Sequence, residues 1–333
     1  MPHKIQNITI IGDGGWGTTL AIHLVKKGYR VKLWGAFPPY VKYLNSRREN
    51  TKFLPGIKIP SKITILDNLA SAVDNSQLII LAVPSRFCIG ILRRLKRFDF
   101  SRKIILSVVK GIETSTLLRT SEIIYRELGK IRLAVLSGPT IAREVAKGVP
   151  STAVIASQDI KIAKALQSVM NSETFRIYTN NDLVGVELGG SIKNIIAIAC
   201  GVCDGLGFGT NTKAAILTRG LAEMARLATA MGAKSQTLFG LSGLGDLATT
   251  CMSRESRNRC VGEKLGRGKT IAQITSSMEM VAEGVTTVKA IAALSRKYKI
   301  SMPITTEVYN IIYKNKKPKR AVADLMNRRI KPE

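Results

Sequence analysis

The sequence predicts an α/β fold in two parts: a mostly parallel sheet covered by helices over residues 1–180, then an all-α domain over residues 181–333. Three observations predict it. Short apolar runs alternate with amphipathic stretches in the first half, the pattern of strands buried between two helical layers. From Asp182 onward Ala, Leu, Ile and Met recur at three- and four-residue steps with no clear strand. The 333 residues also exceed what a single core usually organises, about 250–300 residues.

The strands read from apolar runs are 7–11, 29–34, 78–83, 103–108, 132–136 and 152–156. Helices are expected at 16–27, 85–96, 116–128 and 140–146, and a further helix at 160–170 with a strand at 175–179 closes the first domain. The polar turn Thr179-Asn180-Asn181 is the expected boundary. No internal repeat interrupts either half.

Composition narrows the function classes. With 45% apolar residues the chain folds, and 5% aromatic residues argue against a base-stacking surface. The formal charge of +28 surrounds the protein with a positive field that suits phosphorylated small molecules, nucleic acid or anionic lipid. No block of five consecutive basic residues occurs, and the densest run, Lys314-Asn315-Lys316-Lys317-Pro318-Lys319-Arg320, reads as a solvated, turn-like segment. Nucleic acid is therefore not an expected partner, and a weak attraction to an anionic membrane surface is the most the charge implies. Five scattered cysteines do not form a disulfide framework, which fits a reducing cytoplasm. Cys200 and Cys203 have C-x-x-C spacing without a second pair, and His3 and His23 are the only imidazoles, so no metal is expected. The N-terminus lacks a signal-peptide layout, and the apolar stretch 194–202 is too short to span a bilayer.

The turn Gly12-Asp13-Gly14-Gly15-Trp16-Gly17 carries the first functional signal. It follows a strand directly and opens a helix, the context in which Gly12, Gly14 and Gly17 allow a tight turn, backbone approach to a pyrophosphate and close helix–strand packing. The helix N-terminus then offers amides and a positive dipole end to the phosphates. This is a Rossmann-type dinucleotide site. Retention of an NAD ribose would call for Asp or Glu at the end of the second strand, but that strand runs into Trp34-Gly35-Ala36-Phe37 and no carboxylate occurs from Gly14 to Arg48. NAD(P)H is the expected cofactor, with NADP(H) mildly favoured over NAD(H), although no Arg stands at 35–37 to grip a 2′-phosphate.

A nicotinamide reductase needs a proton donor beside the substrate carbonyl. With histidine so scarce, lysine is the natural substitute, protonated at neutral pH with an ordinary pKa of about 10.4. Lys110 follows a strand at the carboxyl end of the sheet, where such folds bind ligands. Lys193 lies on an otherwise apolar helix, where a charge is costly without a task or partner. Asp246, followed by Ser253, Arg254, Ser256, Arg257, Asn258 and Arg259, assembles groups suited to a phosphate monoester; an exposed basic loop held to glutamates is the alternative.

Taken together the chain resembles the bacterial-type NAD(P)-dependent glycerol-3-phosphate dehydrogenase family. The resemblance rests on the stretches at 12–21, Lys110-Gly111-Ile112-Glu113, Leu136-Ser137-Gly138-Pro139-Thr140, 188–198, Asp204-Gly205-Leu206-Gly207-Phe208-Gly209, 218–224, Gly243-Leu244-Gly245-Asp246-Leu247, Ser256-Arg257-Asn258-Arg259 and Val281-Ala282-Glu283-Gly284. It implies interconversion of dihydroxyacetone phosphate and sn-glycerol 3-phosphate for phospholipid synthesis, with Lys193 transferring the proton and Lys110 contacting cofactor and substrate. Gly138, Thr140, Asp246, Ser256, Arg257 and Asn258 would complete the substrate site. Gly15, Trp16, Ala142, Arg257, Val281 and Glu283 would join Gly12, Gly14 and Gly17 in holding the cofactor. A cytoplasmic homodimer is expected. Two departures concern the cofactor: Gly15 stands where the family often has Ser, and Gly35-Ala36-Phe37 lacks its frequent basic residue. The other readings left open are a β-hydroxyacid dehydrogenase with lysine acid/base chemistry and, in a different class, a basic nucleic-acid- or membrane-surface-binding protein.

Overall fold

The protein is seen in a computed structural model that describes residues 5–278 and 282–330. The chain divides into two compact units, Met1–Lys110 with Thr120–Leu183, and Gly111–Arg119 with Val184–Glu333.

The first unit begins β1 (Asn7–Ile11), α1 (Gly15–Lys26), β2 (Arg30–Trp34), α2 (Pro38–Arg47), β3 (Thr64–Leu66), α3 (Leu69–Val73), β4 (Leu78–Leu81) and α4 (Ser85–Leu95). It continues with β5 (Ile104–Ser107), α5 (Thr120–Leu128), β6 (Arg132–Ser137), α6 (Ala142–Ala146), β7 (Ser151–Ala156), α7 (Ile160–Met170) and β8 (Phe175–Asn180). Among the described residues these strands make one eight-stranded sheet in the order β3-β2-β1-β4-β5-β6-β7-β8. Every pairing is parallel except β6 with β7. β4 and β5 are buried at every position, which is why their sequences Leu78-Ile79-Ile80-Leu81 and Ile104-Ile105-Leu106-Ser107 are almost continuously apolar. Chain order reverses between β1 and β4, so the turn leaving β1 lies at a topological switch point, where open α/β sheets bind ligands.

The expected strands and helices of this unit are present, with ends shifted by a few residues. Three elements had no clear sequence signal: α2, α3 and β3, the last only three residues long and at the sheet edge. The helix expected from residue 116 begins instead at Thr120. The Glu113 carboxylate accepts from the backbone N–H groups of Ser115 and Thr116 and from both hydroxyls, at 2.5–3.0 Å. With Leu117 at φ 60°, these bonds hold the chain in a turn rather than a helix.

The second unit is helical: α8 (Leu183–Gly205), α9 (Thr210–Ala230), α10 (Ser235–Leu238), a π-helical turn (Leu241–Gly245), α11 (Asp246–Met252) and α12 (Arg257–Gly266), then α13 (Ile271–Ser276), α14 (Glu283–Lys297), α15 (Pro303–Tyr313) and α16 (Pro318–Met326). α8 is long and apolar enough to cross a membrane by length and composition, a longer element than the 194–202 stretch suggested, yet 94% of its apolar window is buried inside the protein. Its neighbours wrap it with Leu, Ile, Met and Val side chains. The basic run at 314–320 is not all turn, because Pro318 opens α16 as a first-turn proline. Lys316 bonds Glu307 at 2.5 Å and Asp324 at 2.7 Å, so part of this charge ties α15 to α16.

Backbone contact between α8 and α12 depends on glycine. A Cβ on Gly201 would lie 2.0 Å from the Arg259 carbonyl oxygen, and one on Gly262 would lie 2.0 Å from the Ile198 carbonyl oxygen. Gly201→Ala should cost roughly 1–3 kcal/mol by forcing the two helices apart. Calorimetry of that variant should show a melting temperature several degrees below wild type; an unchanged value would mean that α8 and α12 are not packed this closely.

Candidate active site

In the first unit the turn at 12–17 provides the nucleotide geometry. Gly12 has φ 121°, and a Cβ there would lie 2.5 Å from the Ala82 carbonyl oxygen; a Cβ on Gly17 would lie 1.9 Å from that of Gly12. Side chains are therefore excluded where β1, β4 and α1 converge. Around a Cβ placed on Gly14 there is open space, and Gly14 caps α1 without a side-chain hydrogen bond, leaving room for a phosphate at the helix N-terminus. Gly15 has no room for a side chain in this turn: a Cβ there would lie 2.5 Å from the Phe53 carbonyl oxygen. Ala142 opens α6, and its carbonyl accepts from Thr19 of α1 at 3.0 Å. Trp16 packs edge-on against Phe175 with its indole N–H buried and unpartnered.

The carboxyl end of the same sheet brings together a second group. Lys110 Nζ donates to the Gly138 carbonyl oxygen at 3.2 Å, and Thr140 Oγ1 donates to that oxygen at 3.1 Å. His23, by contrast, is committed to the fold, bonded to the Met170 carbonyl at 2.7 Å and edge-on to Phe175. Burial first, then Lys27 and Lys26, holds its pKa below the usual imidazole value despite that bond. A groove of about 970 Å³ lined by Asn7, Asp74, Gln77, Asp99 and Lys103 touches none of these residues.

In the second unit Lys193 is 5% exposed and Asp246 1%. Lys193 Nζ bonds Asp246 Oδ1 at 2.5 Å and Thr250 Oγ1 at 2.5 Å, while Thr250 donates to the Asp246 carbonyl at 2.6 Å. The ammonium is thus held between two residues one helical turn apart on α11. The π-helical turn immediately before Asp246 sets where α11 starts, a distortion common at functional sites.

The rest of the predicted cluster divides. Asn258 Nδ2 donates to Asn194 Oδ1 at 2.9 Å, and Asn258 Oδ1 accepts from the Gly284 N–H at 2.9 Å, linking α12, α8 and α14. Ser256 caps α12 by accepting from the Arg259 N–H. The Arg257 guanidinium sits amid protein atoms, which lowers its pKa from the usual arginine value, while Glu283 acts in the opposite sense; the residue as a whole stays exposed. Arg259 is committed to Asp204 at 2.6 Å, an aspartate rather than the glutamate expected for a basic loop. Arg254 is exposed. Val281 lies outside the described residues.

Asn194 and Thr250 are the additions that sequence reasoning missed. Asn194 was visible as a polar residue next to Lys193 on an apolar helix, whereas nothing in Thr249-Thr250-Cys251 marked the second threonine as the one facing Lys193. Cys200 and Cys203 are buried on α8. A hydrogen bond with Cys251 and burial push the Cys200 thiol up, and burial pushes Cys203 up to about 12, so both stay neutral. Among the described residues no group of three His, Cys, Asp or Glu side chains could hold a metal ion.

The glycine turn at the switch point of a mostly parallel sheet, followed by a helical unit with a buried lysine, defines a dinucleotide-dependent oxidoreductase. Residues 7–163 match the model described as NAD-dependent glycerol-3-phosphate dehydrogenase N-terminus, and residues 182–323 match the corresponding C-terminus. The chain belongs to this NAD-dependent glycerol-3-phosphate dehydrogenase family, uses NAD(P)H and takes a small-molecule substrate. It is 46% identical to the glycerol-3-phosphate dehydrogenase (NAD(P)+) of Chlorobium phaeobacteroides strain BS1 over 98% of this chain and 99% of the relative. Identity to the enzyme of the same name from Citrifermentans bemidjiense is 45%, with the same coverage. The crystal structure of glycerol-3-phosphate dehydrogenase from Coxiella burnetii matches at a TM-score of 0.95 and 36% identity, covering 98% of this chain and 100% of that one. These findings support the glycerol-3-phosphate dehydrogenase reading over the β-hydroxyacid dehydrogenase and the basic binding protein.

Loss of the anion beside Lys193 should be felt in stability. Asp246→Ala leaves the ammonium buried without its carboxylate, at a cost of about 3 kcal/mol. Urea unfolding at neutral pH should show a clearly lower midpoint, and a variant as stable as wild type would show that the pair is not buried.

Proposed function

We propose that residues 1–180 form the dinucleotide-binding domain and residues 181–333 the helical substrate-binding domain. In this reading the enzyme reduces dihydroxyacetone phosphate to sn-glycerol 3-phosphate in the cytoplasm, supplying phospholipid synthesis, and also runs the reverse oxidation. The observation that carries the reading is the buried ammonium of Lys193, fixed by Asp246 and Thr250. A charge so enclosed is costly unless it acts on something, and a proton donor is what carbonyl reduction requires.

NAD(P)H, when bound, supplies the hydride. Lys193 gives its proton to the C2 oxygen of the triose phosphate as that oxygen gains electron density, and Asp246 holds the ammonium in place. In the reverse direction the Lys193 amine takes the hydroxyl proton. Lys110, already positioned by the Gly138 carbonyl, polarises the substrate from the sheet end, with Gly138 and Thr140 beside it. Arg257 grips the phosphate, supported by Ser256 and Asn258. Gly12, Gly14, Gly15, Trp16, Gly17 and Ala142 hold the dinucleotide, and Lys110, Arg257, Val281 and Glu283 are its further contacts. The working assembly is a homodimer, and the +28 charge gives it a weak attraction to anionic membrane surfaces as a side property.

Two experiments test this. Lys193→Ala should lower kcat by about 10²–10⁴-fold while fluorescence titration still detects bound NADH; near-normal turnover would transfer the role to Lys110. Phosphate binding energy used at the reacting carbon makes dihydroxyacetone without its phosphate a poor substrate in kcat as well as KM. Equal turnover of the two compounds would remove the phosphate site.

A further inference from the structure

The end of β2 has no acidic side chain of its own, yet a carboxylate lies there. A Cβ built on Gly35 would meet Asp13 Oδ2 at 2.3 Å and Asp13 Cγ at 2.9 Å, with Val41 of α2 on the other side at 2.7 Å. Asp13, the second residue of the glycine turn, thus occupies the space that a side chain at position 35 would take. Its backbone is pinned: the carbonyl accepts from Asn50 Nδ2 at 2.8 Å, and Gly35 is fixed by donating its N–H to the Leu66 carbonyl at 2.9 Å. Asp13 Oδ2 is enclosed and has no hydrogen-bond partner, while the residue as a whole is only half-buried. That oxygen is packed against Gly35, out of reach of an external ligand, so a hydroxyl brought to this carboxylate would meet it through the other oxygen; burial raises the pKa of the carboxyl from its usual value, against a bond from its own backbone.

Position 35 is where the acidic residue that receives the adenosine ribose of NAD is expected in this fold. We propose that Asp13 is the cofactor-specificity residue of this chain, reaching across from the glycine turn to Gly35 to accept a hydrogen bond from the ribose 2′-hydroxyl and to repel a 2′-phosphate, so that NAD(H) is preferred over NADP(H). The inference rests on the reading that the turn at 12–17 seats a dinucleotide. It reverses the lean towards NADP(H) drawn from the absence of a carboxylate between Gly14 and Arg48, because the carboxylate comes from one residue earlier and by a different route. Gly35 is part of the device: a Cβ there would force the ends of the Asp13 and Val41 side chains to move. No basic residue stands at Gly35-Ala36-Phe37 to favour a phosphate. Arg94 lies beside this strand end, its guanidinium 5.2 Å from the centre of the Trp34 ring.

Isothermal titration of the purified protein with NADH and NADPH, without substrate, tests the proposal. A hydrogen bond to a charged group, lost and replaced by repulsion, predicts that wild type binds NADH about tenfold or more tightly than NADPH. Asp13→Asn and Asp13→Ala should each shrink that ratio by about tenfold, weakening NADH and strengthening NADPH. The wild-type ratio stands even where a variant folds poorly, and ADP-ribose against its 2′-phosphorylated form repeats the comparison without the nicotinamide. NADPH binding as tight as NADH in wild type would overturn the proposal, as would tighter NADPH binding that disappears in Arg94→Ala, or an unchanged ratio in well-folded Asp13 variants. Failure of both dinucleotides to bind would instead overturn the reading of the turn itself, and the proposal with it.

Discussion

The buried ammonium of Lys193 is the constraint around which the helical unit is built. An uncompensated charge in an apolar core costs several kcal/mol, so α8 can carry a lysine at this point only if a carboxylate arrives at the same depth. That carboxylate is Asp246, and its arrival sets conditions on the chain before it. The π-helical turn Leu241–Gly245 has to end where Asp246 starts α11. Gly189 of α8 has to lack a side chain, because a Cβ there would lie 2.5 Å from the Ser242 carbonyl oxygen of that turn. Thr250, one turn further along α11, then meets the same ammonium while its own hydroxyl proton goes to the Asp246 carbonyl. The pair contributes little net stability for such a requirement, since two well-packed apolar residues could replace it at comparable or lower cost. In the proposed mechanism the pair serves to hold a proton donor in place.

A similar economy governs how α12 reaches the same region. Gly201 and Gly205 on α8, with Gly262 and Gly266 on α12, recur at four-residue spacing and let the two backbones touch. Contact at that distance puts Asn258 within hydrogen-bond reach of Asn194 and Arg259 within reach of Asp204. Asn258 in turn fixes the first turn of α14 through the Gly284 N–H. Glycine spacing on α8 and α12 therefore helps to set where Arg257, next to Asn258, and Glu283, next to Gly284, stand.

Much of this was legible in the sequence, and the exceptions have a common origin. The strand, glycine turn and helix at residues 7–26 could be read because each glycine answers a local steric demand. Lys193 could be singled out because it breaks an apolar pattern. The two-part division was visible in the change of periodicity near Asp182, but the transfer of Gly111–Arg119 to the helical unit was not. In that excursion Ile112 and Leu117 join the apolar core of the helical unit while Glu113 collects donors from Ser115 and Thr116, and a carboxylate near two hydroxyls reads equally well as a helix start. Thr250 and the α8–α12 glycines were likewise hidden, because their roles follow from distances between segments far apart in the chain.

Asp13 shows the same limit from the other direction. At the sequence spacing where a ribose-binding carboxylate follows the second strand, the chain has no acidic residue between Gly14 and Arg48. What the nucleotide meets is a place in space at the end of β2, which more than one part of the chain can fill. The turn after β1 and the end of β2 are neighbours because the two strands pair in parallel with Ile11 beside Trp34. The residue following each strand therefore emerges at the same end of the sheet, and Gly12 donates its N–H to the Trp34 carbonyl. Once Gly35 gives up its side chain, Asp13 is the side chain next in line. Parallel pairing makes the two positions chemically interchangeable in a way that no linear motif records.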